Sequence, residues 1–169
     1  NPEHPYRQKL NVLFNGRVQI YEKTDLLLGA DFNADSVRAQ LSIVVMTFDA
    51  FRTKNKEGRK VYQDNGYLAS FDTGANQEAL LSEYDASALI NVIRLLNPVV
   101  VVDESHNAET ALSVEMLQNL NPAFILDLTA TPKNNSNIIS YVNAIQLKKQ
   151  HMVKLPVIVA NQRTQEDVI

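Results

Sequence analysis

The sequence predicts an α/β fold built on a parallel sheet flanked by helices, and three observations predict it. Val99 to Val102 and Ala123 to Leu128 are short apolar runs without alternation, and Leu41 to Thr47 is nearly continuous as well. Runs of this kind suit strands covered on both faces, which is the situation in parallel sheets. Between them, apolar residues recur at the helical period: Leu80, Leu81, Tyr84, Ala88, Leu89, Val92, Ile93 and Leu96, then Leu112, Val114, Met116, Leu117 and Leu120. Finally, two of the apolar runs end in polar chemistry, Asp103-Glu104-Ser105-His106 and Thr129-Ala130-Thr131-Pro132. The carboxyl edge of strands is where doubly wound sheets bind ligands.

Taken in order, Leu10 to Phe14 and Arg17 to Tyr21 flank Asn15-Gly16, a dipeptide suited to a two-residue turn, and predict an N-terminal β-hairpin. Ser36 to Gln40 closes a short polar or helical segment before the strand from Leu41 to Thr47. Arg52 to Gly74 is rich in Lys, Asn, Gly, Asp and Gln and reads as a long exposed insertion, set at residues 52–76. Its rings Tyr62, Tyr67 and Phe71 suit either stacking on single-stranded bases or, more commonly, anchoring of the loop.

An amphipathic helix over Gln77 to Leu96 then leads into the Val99 strand. A second helix, Glu109 to Leu120, is stopped by Asn121-Pro122 before the strand from Ala123 to Leu128. A third spans Asn135 to Lys149, and Leu155 to Val159 starts another strand. Strands alternating with helices imply parallel pairing with right-handed crossovers. Lys148, Lys149, His151 and Lys154 form a modest basic cluster that reads as a solvated helix end.

At 169 residues and 45% apolar composition the chain fits one hydrophobic core. No apolar stretch approaches the roughly 18–20 residues that cross a bilayer, and the N-terminus has no signal pattern, so the expectation is a soluble, cytoplasmic protein. The absence of cysteine excludes disulfides, thiolate metal sites and a cysteine nucleophile, and three scattered histidines argue against zinc. A net charge of -3 is not the footprint of an independent nucleic-acid-binding domain.

An aspartate ending a buried strand can hold Mg2+ through its water shell, because that ion keeps octahedral oxygen coordination and dehydrates reluctantly. A neighbouring glutamate then sits where it can deprotonate water for attack on a γ-phosphate. Two hydroxyls around a small residue at the next strand edge can hydrogen-bond to His106 or to the acidic pair. The structural alternative is an acidic first helical turn, with Asp103, Glu104 and Ser105 as caps, and an ordinary strand exit stopped by Pro132.

These residues carry a family resemblance. Asp103-Glu104-Ser105-His106 resembles the Walker B motif of the DExH branch of superfamily 2 helicases, and Leu128-Thr129-Ala130-Thr131-Pro132 resembles their motif III. Val44 to Phe51 resembles the segment that precedes Walker B near the nucleic acid, with Thr47 at the matching position. More narrowly, Met46 to Phe51, Asn97-Pro98, His106 to Thr110, Leu120-Asn121-Pro122 and Met152 to Pro156 together resemble the Res subunit of type III restriction-modification enzymes.

The resemblance implies a partial RecA-like P-loop NTPase fold, with ATP and Mg2+ as cofactors. It further implies double-stranded DNA as a partner, a methyltransferase or specificity subunit, and translocation coupled to cleavage. By the same resemblance Asp103 holds Mg2+ and acts with Glu104, the catalytic base. His106, Thr129 and Thr131 couple hydrolysis to DNA movement, and Thr47 contacts nucleic acid.

The Walker A pattern is missing, since none of Gly16, Gly29, Gly58, Gly66 or Gly74 is followed by Lys. The chain therefore reads as an internal piece of a larger ATPase. Residues 1–154 form a partial first motor domain, 155–169 a linker and the start of a second, and the piece alone is expected to be inactive. Two other classes compete: a degenerate RecA-like scaffold that binds DNA or protein, and a Mg2+-dependent hydrolase unrelated to helicases. The latter would use Asp103 and Glu104 with Asp127, which strand alternation places on the same face as Thr129.

Overall fold

The computed structural model describes residues 2–52, 56–74, 76–103, 111–132, 137–150 and 152. The chain divides into two compact units, Asn1–Thr131 and Pro132–Ile169.

The first unit opens on a helix where a hairpin was expected. Helix α1, Pro5–Leu13, begins with proline in its first turn and with His4 as cap, its Nδ1 accepting from the Tyr6 amide at 3.3 Å. Asn15 and Gly16 do adopt positive φ, +52° and +75°. They end the helix, however, and the Gly16 amide donates back to the Asn11 carbonyl at 2.7 Å. Left-handed backbone serves a helix C-terminus as well as a hairpin turn, so the dipeptide alone does not separate the two.

Strand β1, Val18–Glu22, is followed by helices α2, Lys23–Leu27, and α3, Ala34–Ala39, and then by strand β2, Leu41–Val45, which pairs with β1 in parallel. Asn33 caps α3 by accepting from the Asp35 and Ser36 amides, while the Ser36 hydroxyl accepts from the Asn33 amide, a reciprocal box that fixes the helix start.

Residues 56–74 pass through a short helix α4, Lys56–Arg59, and turns of 3-10 helix at Lys60–Tyr62 and Gly66–Phe71. The expected exposure of this stretch is corrected, because Val61, Leu68 and Phe71 are buried in the main core beside Tyr21, Leu26, Phe32, Phe51 and Ile90. Phe32 sits between two rings, with centroids 5.1 Å from both Tyr21 and Phe71. Tyr62 donates to the Phe51 carbonyl at 2.9 Å and packs on Tyr84, so two of the three rings anchor the segment and only Tyr67 is exposed.

The long helix expected over Gln77 to Leu96 shortens to α5, Leu89–Leu96. The fully buried amide of Asn91 explains the irregular approach to it. Its Oδ1 accepts from the Leu81 amide at 2.9 Å, and its Nδ2 donates to the carbonyls of Leu81, Tyr84 and Asp85 at 3.2, 3.0 and 3.1 Å. One side chain thereby satisfies backbone groups that a helix would otherwise pair internally.

Strand β3, Val99–Asp103, helix α6, Ala111–Asn119, and strand β4, Phe124–Leu128, complete a second parallel pair. Among the described residues the expected parallel sheet takes the form of two two-stranded parallel sheets, β1 with β2 and β3 with β4. Strands β3 and β4 are not covered on both faces. Val102 is buried and Val100 packs against the core, whereas Val99 and Val101 are 68% and 57% exposed.

In the second unit, helix α7, Ala144–Lys149, begins at Asn143, whose Oδ1 accepts from the Gln146 amide while Gln146 Oε1 accepts from the Asn143 amide. That box starts the helix nine residues later than the periodicity suggested, and residues 137–143 are exposed and not helical. Lys148 and Lys149 lie exposed in its last turn. The strand expected at Leu155 to Val159 lies outside the described residues. No described helix is long and apolar enough to cross a membrane.

Candidate functional site at the carboxyl edges of the strands

The β3–β4 register pairs Val99 with Phe124, Val101 with Leu126 and Asp103 with Leu128. Asp103 therefore ends its strand level with the last residue of β4, and Thr129 is the next residue along. Asp103 and the backbone of the Thr129–Thr131 loop thus leave the paired strands at one edge.

Around that edge Thr129 is half-buried and Thr131 exposed. The Thr131 amide donates to Thr129 Oγ1 at 3.1 Å, and the Thr129 hydroxyl lies 3.4 Å from the Thr131 carbonyl, which it can donate to. This local loop holds the two threonines in a fixed relation just past the strand, as short hydroxyl side chains do in turns. Glu104, Ser105 and His106 lie outside the described residues.

The same register decides the fate of Asp127. It pairs with Val102, whereas Asp103 pairs with Leu128, and successive residues of a strand point to opposite faces. Asp103 and Asp127 thus project from opposite sides of the sheet and do not make a shared metal site. Among the described residues no group of three or more His, Cys, Asp or Glu side chains is placed to hold a metal ion. A single strand-end carboxylate fits Mg2+ held through water and substrate phosphates, since that ion is seldom caged by protein alone.

Thr47 is exposed two residues past β2 and lines an open depression of about 470 Å³ at the carboxyl ends of β1 and β2. Glu22, Lys23, Met46 and Asp49 line it too, and Asp49 pairs with Arg52 at 3.0 Å. Glu22 and Lys23 carry no motif of their own, and Arg17 to Tyr21 just before them read as one arm of a hairpin. The available signal was the helix between the two strands, since a strand, a helix and a second strand imply parallel pairing and a shared carboxyl edge.

A scan against protein-family models matches residues 12–134 to the family described as type III restriction enzyme, res subunit. Comparisons with curated proteins and with solved structures found no match. The matched span takes in both parallel pairs and the shared edge of Asp103 and Thr129. With its mixed α/β architecture and most of its length inside that match, the chain belongs to the res-subunit family of type III restriction enzymes, helicase-like ATPases of RecA-like fold.

Proposed function

We propose that the chain is part of the first motor domain of an ATP-dependent DNA translocase, the restriction subunit of a type III restriction enzyme. In it, Mg-ATP hydrolysis is coupled to movement along duplex DNA and to cleavage. The observation that supports the reading is the in-register parallel pair, in a chain of this family, whose strands end in Asp103 and in the start of the Thr129–Thr131 loop at one carboxyl edge.

In this reading the Asp103 carboxylate holds the water shell of Mg2+, and Glu104 takes the proton of the attacking water. When bound, the ion neutralises charge on the β- and γ-phosphates. His106, Thr129 and Thr131 respond to the nucleotide's state and pass it to the DNA contacts, among which exposed Thr47 faces the strand-edge depression. Residues 1–154 belong to the first motor domain and 155–169 lead towards a second. A methyltransferase or specificity subunit supplies sequence recognition, in keeping with a chain whose net charge is -3.

No Gly-Lys-Ser/Thr phosphate loop occurs in the sequence, so the 169-residue chain by itself lacks the lysine and amides that cradle phosphates. The purified chain is expected to hydrolyse ATP negligibly and to bind DNA weakly. A robust DNA-stimulated rate that disappears on Glu104→Gln would show a complete enzyme and overturn the fragment reading.

A further inference from the structure

The two motif-bearing strands begin in matching turns. Asn97 closes α5 at φ +48° and Asn121 follows α6 at φ +50°, and each precedes a proline that leads into β3 or β4. The turns hold each other. Asn97 Nδ2 donates to the Asn121 carbonyl, Asn121 Nδ2 reaches the Arg94 carbonyl at 3.5 Å, and the Ala123 amide donates to the Pro98 carbonyl at 3.0 Å. Arg94 adds a brace from α5, donating through Nη1 to the carbonyls of Gln118 and Asn119 at 3.2 and 3.0 Å at the end of α6.

The strands themselves specify their register poorly. A slip of two residues keeps every side chain on its face, and β3 offers four successive valines, so valine would still meet much the same apolar partners. Such a slip would nevertheless move Asp103 by about 6.6 Å relative to Thr129, at about 3.3 Å per residue.

We propose that Asn97 and Asn121 are positioning residues whose side-chain bonds, from Asn97 to the Asn121 carbonyl and from Asn121 to the Arg94 carbonyl at the amino ends of β3 and β4, set the register that ends β3 at Asp103 level with the start of the Thr129–Thr131 loop. The proposal rests on reading Asp103 and those threonines as parts of one site.

Register can be read directly, without nucleotide, in a chain that has no native cysteine. Val101→Cys with Leu126→Cys places thiols on directly paired residues. Val99→Cys with Leu126→Cys is offset by two, beyond about 7 Å between Cα atoms and thus outside disulfide reach without a slip. With both asparagines present, only the paired combination should oxidise.

In the Asn97→Gly, Asn121→Gly background the turns keep their left-handed backbone but lose the amides. The offset disulfide should then rise roughly tenfold relative to the paired one, the scale of losing about one net hydrogen bond. Asn97→Gly alone, which keeps the Asn121 amide and the Arg94 brace, gives the same reading in a less perturbed chain, with circular dichroism reporting its fold. A folded variant that oxidises only the paired cysteines would overturn the proposal even if its melting temperature fell. Because the readout needs no ATP, it stands or falls apart from the ATPase reading.

Discussion

Leu68 and Val101 are both apolar residues of one compact unit, yet Leu68 is fully buried and Val101 is 57% exposed. The contrast extends to their neighbourhoods. Leu68 lies in a polar-looking stretch that reaches the core through 3-10 turns, whereas Val101 lies in the most apolar run of the chain, on a sheet with one open face. Composition therefore does not rank burial in this molecule. The region around Tyr21, Phe32 and Leu68 is held by side-chain packing, while the strands that carry the motifs rely more on backbone pairing and on hydrogen-bonded turns at their origin.

Truncation in the first region carries the largest expected cost. Leu68→Ala should cost about 3–4 kcal/mol of unfolding free energy, the range for fully buried leucines, measured by urea denaturation. A cost under about 1 kcal/mol would mean that residues 66–71 do not form part of the core. Asn91→Ala should follow at about 2–3 kcal/mol, because it orphans the Leu81 amide and carbonyl acceptors in a buried setting. An unchanged midpoint would remove Asn91 as the organiser of the segment before α5.

Gly29→Ala should cost about 1–2 kcal/mol, since Gly29 has φ +64° and an added Cβ would meet Tyr67 Cβ at 2.7 Å. That variant asks whether the turn after α2 touches the 66–71 segment at all. Val101→Thr, on the open face of β3, should change stability by no more than about 0.5 kcal/mol. A loss above about 2 kcal/mol would show that this face is covered and would abolish the contrast.

The smallest effect is in alkali. Burial pushes the hydroxyls of Tyr21 and Tyr62 above their ordinary value of 10.0. A raised folded-state value means the native chain holds its proton longer than the unfolded one, so the associated stability is complete below about pH 10 and falls as pH rises beyond it. In denaturant midpoints taken from pH 9 upwards, Tyr62→Phe should flatten part of that decline. It should also lose about 1 kcal/mol at neutral pH with the bond to Phe51.

Both strands of the motif-bearing pair were legible in the sequence, as were their parallel direction and the polar chemistry at their ends, because apolar runs followed by Asp103 and Thr129 leave few other readings. Less legible was everything decided by a single side chain or by tertiary pairing. Asn15-Gly16 satisfies a hairpin and a helix end equally, and the apolar residues before Asn91 keep helical spacing although a buried amide makes the helix unnecessary. Asp127 looked able to join Asp103 until the register fixed them on opposite faces. In one dimension Asn121-Pro122 reads as a helix stop and Asn97-Pro98 only as part of a family likeness, and the contact between the two turns exists only once α5 and α6 are packed.

The proposed hydrolytic half of an ATPase site lies at the carboxyl edge where Asp103 ends β3. Its most direct test is Glu104→Gln in the proposed full-length restriction subunit, assayed for DNA-stimulated ATP hydrolysis alongside nucleotide and duplex binding. The expected outcome is a loss of at least about 100-fold in hydrolysis, the scale of a removed general base, with both ligands still bound. Hydrolysis within a few-fold of the unaltered protein would contradict it.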